Sequence, residues 1–285
     1  MDTRFTAHLE REIWQQIYRE VSQGSFSSPR NLRIVELENY HYVLPPYMRF
    51  TNFTARKMSI DYIKHETMWF LRGDPYDLSI CENATMWRNI IVRGRLNSNY
   101  GLAIWRQGGF DWVIEELLRD PDSRRACISI LNESHMRSDT KDVPCTAYIN
   151  FRIRKNHLNM SVHMRSQDAI FGMTNDAPAF SFIHEMVFET LKENGQFEGL
   201  EMGDYHHTAD SFHVYERHFE MLEQLTAADA QFERVTAPKI KNAMEVRYLR
   251  TCPWTDPNYQ LKSEEAAGYE FSRWVRDAKP CLIKK

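Results

Sequence analysis

The amino-acid sequence predicts an α/β or α+β fold, and three observations support this. The chain has 285 residues, of which 42% are hydrophobic and 13% aromatic, so it can bury a sizeable core in one large domain or two small ones. Apolar side chains at helical spacing recur along the chain, with short strand-like runs between them. No internal repeat or low-complexity tract interrupts this pattern across residues 1–285, and the pattern alone leaves one or two domains open.

Charge and cysteine usage limit the partners and the compartment. The net charge of −3 and the pI near 6.4 give no global positive field for nucleic acid, whereas arginines in short motifs indicate a small anionic ligand. Five cysteines without a CxxC pair predict a reduced thiol protein in the cytoplasm, without structural zinc. The charged N-terminus and the absence of a run of about 18 apolar residues predict neither a leader nor a membrane span.

The predicted elements follow in chain order. In the first half they are a helix over 3–21, a Gly/Ser/Pro-rich break at 23–29, a strand pair within 31–54, a helix over 60–71, an amphipathic helix over 110–119 and a strand over 126–131. In the second half they are strands at roughly 145–154 and 158–165 with the turn Lys155-Asn156, a helix from Asp176 to about Asn194 with Pro178 in its first turn, a helix near 216–226 and a charged helix near 263–277.

The candidate nucleophile is Cys145, which begins a strand after Val143-Pro144. Most lone cysteines are inert buried hydrophobes, and this is the alternative interpretation. However, Arg165 follows twenty residues later and could return beside Cys145 in a hairpin. A guanidinium at that distance lowers the pKa of a thiol and favours the nucleophilic thiolate.

Several charged residues need a partner or a ligand. Glu66 lies among apolar residues of the helix over 60–71, where a carboxylate is costly unless it is paired; it is either catalytic or at the helix rim. Arg30 follows the flexible break and is either a solvated loop arginine or a mobile phosphate ligand. The adjacent Arg124 and Arg125 point to opposite faces of a strand, so one or both must pair with an acid or an external anion.

Six motifs carry a family resemblance. They are HETMWFLRGDP, LNSNYGLAIW, DPDSRR, VPCT, MRSQDAIFGMTND and FHVYERHF. In this order they resemble the thymidylate synthase family, and within it most closely the phage deoxycytidylate hydroxymethylases. The resemblance runs from about residue 65 to 219, which implies a single thymidylate synthase-like domain with a core at about 30–226 and a variable extension at 227–285. It also implies a large mixed β-sheet flanked by helices and a homodimer formed through that sheet.

The resemblance implies one-carbon transfer from 5,10-methylenetetrahydrofolate. In the family the cysteine thiolate, here Cys145, adds to C6 of a pyrimidine nucleotide, and C5 then attacks the methylene group of the folate. Loss of the folate leaves an exocyclic methylene at C5. Hydride from the folate then gives a methyl group, whereas water gives a hydroxymethyl group.

The resemblance also implies a role for each site residue. The implied catalytic residues are Cys145, Glu66, Asp176 and Tyr100. The implied substrate ligands are Arg30, Arg124, Arg125, Arg165, Ser166, Asn99, His213 and Tyr215. The implied folate contacts are Asp168, Trp87 and Gly172, and no metal is expected. Among these, the arginine pair would reach across the dimer into the partner's site, and His213 and Tyr215 would hold the 3′-hydroxyl of the deoxyribose.

Departures from the family pattern indicate the substrate. Thymidylate synthases carry asparagine where this chain has Asp176, and histidine where it has Thr146. A carboxylate accepts from the N4 amino group of cytosine and favours a proton on N3, so Asp176 predicts a cytosine substrate; the alternative is a carboxylate at a helix N-terminus. The retained Ser166 fits a deoxyribonucleotide. The chain lacks the short apolar tail with which the family closes its site, and the sequence ends in Lys284-Lys285.

The function implied is that of a cytoplasmic deoxycytidylate 5-hydroxymethyltransferase, acting in the host cytoplasm if a phage encodes the chain. It would act on dCMP and a folate as a homodimer, without nucleic acid or membrane. The alternatives are a dCMP 5-methyltransferase, a relative directed to dUMP or CMP, and a non-catalytic nucleotide- or RNA-binding relative.

Overall fold

A large mixed β-sheet forms the centre of the protein. A computed structural model describes residues 3–46, 51–251 and 268–281. The strands of the main sheet are β1 (Phe26–Ser27), β2 (Ile34–Leu44), β4 (Cys127–Ser129), β5 (Thr146–Arg154), β6 (His157–Met164), β7 (Gln167–Asp168) and β8 (Glu201–Tyr215). Their order is β1-β2-β8-β6-β5-β4, and β7 pairs with β8. The central pair β6–β8 is parallel, whereas β8 is antiparallel to β2, and β5 to β6.

Helices cover one face of this sheet. They are α1 (Thr3–Val21), α2 (Ile60–Arg72), α3 (Ile80–Asn83), α4 (Gly109–Arg119), α5 (Gly172–Lys192), α6 (Phe219–Thr226), α7 (Ala243–Arg250) and α8 (Glu270–Arg276). The long α5 lies on the buried side of the strands, where His184 Nε2 is 2.8 Å from the carbonyl oxygen of Leu158. Alternate residues of β5 and β6 are buried, as expected for strands with one covered face.

The opposite face of the sheet is not covered by the described residues. Tyr148, 40% exposed, stacks on His163 at 5.4 Å between ring centroids, and His163 Nε2 lies 2.8 Å from Asp210 Oδ1. His41 stacks on His206 at 5.7 Å in the same layer. A broad face of aromatic and polar side chains thus remains accessible.

The predicted hairpin is confirmed, and the predicted strand pair in residues 31–54 is wrong. Lys155 and Asn156 both have positive φ, 52° and 59°, which is typical of the tight turn that joins two antiparallel strands. By contrast, β2 is one strand of 11 residues that pairs with β1 and β8. The short β3 (Thr51–Phe53) pairs instead with β9 (Phe232–Arg234) in a separate sheet. β8 and β9 are distant in sequence from β2 and β3, so local patterns do not reveal these pairings.

The start of α5 also differs from the prediction. The helix begins at Gly172, so Asp176 is its fifth residue and Pro178 its seventh, beyond the first turn. Pro178 therefore leaves the carbonyl of Thr174 without its helical donor. Asp168 Oδ1 accepts from the backbone N–H groups of residues 170 and 171 at 2.9 and 3.0 Å, which fixes the turn directly before the helix. Asp176 is consequently not a helix-terminal carboxylate.

The remaining elements agree with prediction in type. The strand predicted over 126–131 is shorter in the structure, where it is β4. The described part of the charged helix predicted near 263–277 is α8, and residues 252–267 lie outside the described ranges. Within the described ranges, none of the helices has both the length and the apolar character needed to cross a membrane.

Candidate active site

Cys145 lies immediately before β5, at the end of the β5–β6 hairpin. The backbone N–H of Arg165 donates to the carbonyl oxygen of Cys145 at 2.8 Å, so the ladder of the hairpin extends to the candidate nucleophile. The register shifts between Thr146 and Tyr148, which indicates a β-bulge directly after the cysteine. Bulges near sites change the direction of neighbouring side chains. The hairpin thus brings together two residues that are twenty positions apart.

The guanidinium of Arg165 is held by the backbone beside the thiol. Its Nε donates to the carbonyl of Pro144 at 3.0 Å and its Nη2 to the carbonyl of Val143 at 2.6 Å. The same Nη2 lies 3.7 Å from Cys145 Sγ. The side chain is otherwise exposed, and no carboxylate neutralises it in these contacts. Arg165 is therefore available for an external anion, as a phosphate ligand must be.

Burial raises the pKa of the Cys145 thiol above its ordinary value. Arg165 and Arg30 lower the pKa but offset the burial only in part, and Asp176 and Asp142 raise it further. The prediction of a net lowered thiol pKa is therefore wrong. The effect of the guanidinium has the predicted sign, but desolvation is larger.

We expect the alkylation of Cys145 by iodoacetamide to require a higher pH than that of an ordinary thiol, because only the thiolate reacts. In Asp176→Asn the midpoint should move to lower pH, since a negative charge that raises the thiol pKa is removed. Mass spectrometry of the Cys145 peptide against pH measures both midpoints. The Cys127 peptide serves as an internal control, and identical Cys145 midpoints in the two proteins would contradict the electrostatic link.

Asp176 is joined to the sheet through Gln167. Gln167 Nε2 donates to Asp176 Oδ2 at 3.0 Å, and Gln167 Oε1 accepts from the hydroxyl of Tyr42 at 3.3 Å. The negative charge of Asp176 is the second cause, after burial, of a pKa for Tyr42 that lies well above the ordinary value. The charge of Asp176 also raises the pKa of the Cys145 thiol, although burial is the larger cause. The carboxylate is therefore within electrostatic reach of the thiol.

Glu66 is buried in a chain of hydrogen bonds. Its Oε1 accepts from the hydroxyl of Tyr62 at 2.8 Å, and that hydroxyl accepts from Trp87 Nε1 at 3.1 Å. Burial raises the pKa of Tyr62 well above its ordinary value, followed by the charge of Glu66. The phenol thus remains a donor to Glu66 at neutral pH. Trp87 holds this chain and also packs on Trp69 at 5.1 Å, so its contact with a folate stays a prediction.

Tyr100 lies beside the nucleophile. Its ring stacks on Phe70 with centroids 5.0 Å apart. Burial raises its pKa well above the ordinary value, and the charges of Cys145 and Asp176 raise it further, whereas a hydrogen bond with Thr146 lowers it. Tyr100 therefore keeps its proton at neutral pH and is a donor within electrostatic reach of Cys145 and Asp176.

Three predicted substrate ligands share one side of the site. Burial lowers the pKa of His213 and raises the pKa values of Tyr215 and Cys145. The positive charge of Arg30 makes a smaller contribution that lowers the pKa of each of these three residues. Arg30 is thus within electrostatic reach of the thiol. The rings of His213 and Tyr215 meet edge to face at 5.1 Å at the end of β8. Half-buried Ser166 makes no hydrogen bond through its hydroxyl within the described residues.

Arg124 and Arg125 lie far from Cys145 of the same chain. The carbonyl of Ala126 accepts from the backbone N–H of Phe151 at 2.8 Å, which places the arginines opposite the far end of β5. Six residues of strand span roughly 20 Å. Arg125 donates to the buried Glu116 at 2.9 Å through Nε, yet its side chain is 69% exposed.

Asn99 and Gly172 have structural contacts. Asn99 Nδ2 donates to the carbonyls of Trp69 and Asp74 at 3.0 and 3.1 Å, and its Oδ1 accepts from the N–H of Gly101. The amide is occupied by backbone, and substrate binding by Asn99 stays a prediction. At Gly172, a Cβ would lie 3.3 Å from Gln167 Cγ and 3.4 Å from Asp176 Oδ2, so glycine permits close packing there.

Arg56 lies near the start of α5, within electrostatic reach of Asp168. Arg56 Nε donates to the carbonyl of Ile170 at 3.0 Å, Nη2 donates to Asn175 Oδ1 at 3.3 Å, and the guanidinium lies over the ring of Phe171 at 4.1 Å. Burial lowers the pKa of Arg56 to about 10, although Asp168 opposes this. Arg56 is 5% exposed, and its Nε and Nη2 donate to residues 170, 174 and 175, so it stabilises the start of α5, and the folate contact of Asp168 stays a prediction.

Sequence reasoning missed four residues of the site. They are Tyr42, Arg56, Tyr62 and Gln167. Tyr62 could have been found, because residues four apart share a helix face and Glu66 is such a neighbour. The partners of Tyr42 and Arg56 are more than a hundred residues distant, and no local signal identifies them. Gln167 lies in the motif MRSQDAIFGMTND, nine residues before its partner Asp176, so its place near the site could have been found.

Comparison with known proteins identifies the family. The thymidylate synthase family model matches residues 21–257. The chain belongs to the thymidylate synthase family. The large mixed sheet flanked by helices is accordingly the thymidylate synthase fold, and the predicted resemblance is confirmed.

Similar members of the thymidylate synthase family come from phages. The deoxycytidylate 5-hydroxymethyltransferases of Enterobacteria phages T4, T2 and T6 are each 30% identical over 181 residues, which cover 60% of this chain and 73% of the relative. This chain is therefore a transferase of the thymidylate synthase family, whose members use methylenetetrahydrofolate. Among the described residues, no group of three or more His, Cys, Asp or Glu is arranged to hold a metal ion.

Proposed function

We propose that this protein is a deoxycytidylate 5-hydroxymethyltransferase, which transfers a one-carbon unit from 5,10-methylenetetrahydrofolate to C5 of dCMP. The observation that carries the proposal is Asp176, an acceptor-only carboxylate that lies within electrostatic reach of Cys145 and accepts from Gln167 Nε2 at 3.0 Å. Cytosine presents an amino donor at N4 and an acceptor at N3. A carboxylate complements this edge, and the 30% identity to phage enzymes named for this activity supports the same substrate.

Each residue of the site has a separate role in the proposed reaction. Cys145 attacks C6 as the thiolate, and Arg165 beside it stabilises the negative sulfur and the nucleotide phosphate. Asp176 accepts from the N4 amino group and favours a proton on N3, which makes C6 more electrophilic. Glu66, held by Tyr62, and the protonated Tyr100 move protons around the ring. The folate supplies the one-carbon unit, and Asp168 is the charged residue that we expect to contact it.

The product distinguishes this function from the alternatives. Protein, dCMP and methylenetetrahydrofolate are incubated and the nucleotide is analysed by mass spectrometry. We expect a mass gain of one carbon, two hydrogens and one oxygen. A gain of one carbon and two hydrogens would identify a methyltransferase instead. Turnover of dUMP but not dCMP, or no product from either, would contradict the proposal.

A homodimer would complete the site. Arg124 and Arg125 are exposed yet roughly 20 Å along β5 from the thiol of their own chain. The uncovered sheet face offers a surface for a second copy, as the family resemblance implies. In such a dimer the arginine pair of one protomer would bind the phosphate in the site of its partner. Glu116 anchors Arg125 without covering it.

We expect activity to recover when an inactive Arg125→Ala protein is mixed with an inactive Cys145→Ser protein. Each mixed dimer would hold one site with both groups intact and one with neither, so recovery should approach about half of the wild-type activity per mixed dimer. The measurement is turnover of dCMP after verified subunit exchange. A mixture of Cys145→Ser with Cys145→Ala is the matched control and should stay inactive. Absence of recovery would place Arg125 outside any site.

A further inference from the structure

Gln167 lies between the carboxylate of Asp176 and the hydroxyl of Tyr42. Its side chain is 2% exposed, and each end of its carboxamide has one of these partners: Nε2 donates to Asp176 Oδ2 at 3.0 Å, and Oε1 accepts from Tyr42 at 3.3 Å. The reaction described above assigns no task to Gln167. Because Gln167 donates to Asp176, the carboxylate that we propose contacts the base, it can influence which base the site accepts.

Tyr42 determines which end of the amide faces Asp176. A protonated phenol donates to an oxygen, so Oε1 turns toward Tyr42 and the N–H donors turn toward the carboxylate. The reverse orientation would place Oε1 against Asp176, two acceptors in contact inside a buried site. Burial and the charge of Asp176 raise the pKa of Tyr42 well above its ordinary value, so the phenol keeps its proton.

Tyr42 is itself fixed in the core. It is 5% exposed, and its ring stacks on His207 with centroids 4.7 Å apart and planes within 6°. Tyr205 lies beside both, with its hydroxyl 2.6 Å from His207 Nδ1. A well-packed part of the sheet thus sets the orientation of Gln167, and this also fixes the geometry of its hydrogen bond to Asp176.

We propose that Gln167 is a specificity-determining positioning residue, which keeps Asp176 an ionised acceptor and thereby selects the cytosine edge. The proposal rests on the proposed function, because it concerns the base that Asp176 contacts. A donor at position 167 stabilises the ionised carboxylate, which accepts only. With an acceptor at position 167, the carboxylate would take up a proton more easily, and a carboxyl group can donate to O4 of uracil.

The test compares Gln167→Glu with Gln167→Met. Glutamate keeps the length of the side chain and an acceptor for Tyr42 but removes the donor to Asp176; methionine removes both polar ends. We expect Gln167→Glu to lower the ratio of kcat/KM for dCMP over dUMP by about 10-fold and Gln167→Met by about 3-fold, mainly through kcat for dCMP. Calorimetric binding of dCMP and dUMP without folate gives a second ratio that needs no turnover.

The same substitution at position 167, made in the Asp176→Asn variant, distinguishes a positioning role of Gln167 from a role in filling space. In Asp176→Asn, the amide of Gln167 leaves the asparagine N–H free for uracil, whereas a glutamate at 167 would accept from that N–H and leave Oδ1 for the amino group of cytosine. Gln167→Glu should therefore lower the preference for dCMP when residue 176 is Asp and raise it when residue 176 is Asn. A residue that only fills space cannot give effects of opposite sign.

Tyr42→Phe tests the proposal without changing residue 167. It removes the donor that orients the amide, and we expect the dCMP-over-dUMP ratio to fall by about 3-fold. Tyr40→Phe is the matched control, because Tyr40 lies on the same face of β2 and stacks on Phe212 at 4.5 Å, outside this chain of hydrogen bonds; its ratio should equal that of wild type.

The outcomes separate the two proposals. If wild type makes no hydroxymethylated dCMP, the proposed function fails, while the binding ratios still decide the role of Gln167. If wild type makes that product and the ratios in Gln167→Glu and Tyr42→Phe equal those of wild type, the role of Gln167 is refuted. If Gln167→Glu does not fold, as judged by circular dichroism, Tyr42→Phe decides.

Discussion

Cys145→Ser should lower kcat for dCMP by at least about 10³-fold, since the hydroxyl that replaces the thiol is a far weaker nucleophile toward C6. Binding of dCMP should stay within about 3-fold of wild type. Arg165 is held by the carbonyls of Val143 and Pro144, so the phosphate ligand keeps its place without the sulfur. Steady-state turnover and calorimetric titration of dCMP measure the two quantities separately.

Cys127→Ser is the matched control for this substitution. Cys127 lies in the edge strand β4 and takes no part in the site, so the variant should keep wild-type turnover. Retained turnover in Cys145→Ser, or loss of nucleotide binding at unchanged turnover, would contradict the assignment of Cys145 as nucleophile.

Asp176→Asn should shift the ratio of kcat/KM for dCMP over dUMP by at least about 10-fold toward dUMP. The carboxamide supplies a donor for O4 and an acceptor for N3–H of uracil, and a mispaired buried polar group costs roughly 1–3 kcal/mol. Turnover of dCMP should fall more than its binding, because protonation at N3 contributes most in the transition state. The absence of the synthase histidine, replaced by Thr146, should keep the absolute rate with dUMP low.

The measurement uses both nucleotides at one folate concentration, so that only the ratio is compared. Asp229→Asn, an exposed residue between α6 and β9, is the charge-matched control and should leave the ratio unchanged. An unchanged ratio in Asp176→Asn would remove the main support for cytosine as the substrate.

The sequence predicted those parts of the site that lie close together along the chain. The β5–β6 hairpin that joins Cys145 to Arg165 follows from two adjacent strand patterns and a turn, all within twenty residues. The helix of Glu66 follows from its apolar spacing and its end at Gly73, which has a φ of 60°. Such features are encoded locally, and local periodicity reports them.

Long-range pairing and burial could not be predicted in the same way. The bond between Tyr42 and Gln167 joins residues 125 positions apart and depends on β2 and β7 both pairing with β8. The pKa of Cys145 depends on how completely the thiol is desolvated, which no spacing of residue types reveals. The start of α5 was misplaced because Phe171 occupies its N-cap position without a side-chain capping bond, so no capping residue marks the start in the sequence.

The two edges of the main sheet affect the tendency of the protein to aggregate. A sheet edge exposes unpaired N–H and C=O groups, and long flat edges add strands from other molecules. Here the edge strands are β1, with two residues, and β4, with three, and Arg124 and Arg125 lie directly before β4. β1 pairs with only two residues of β2, and β4 with only three of β5, so most of the outer edge of β2 has no strand partner among the described residues. Addition of a strand from another molecule would therefore have to occur along β2, where Glu36 and the exposed Glu38 place negative charges that disfavour it. We expect this edge, rather than β1 or β4, to determine whether the protein aggregates at the high concentrations reached during overexpression.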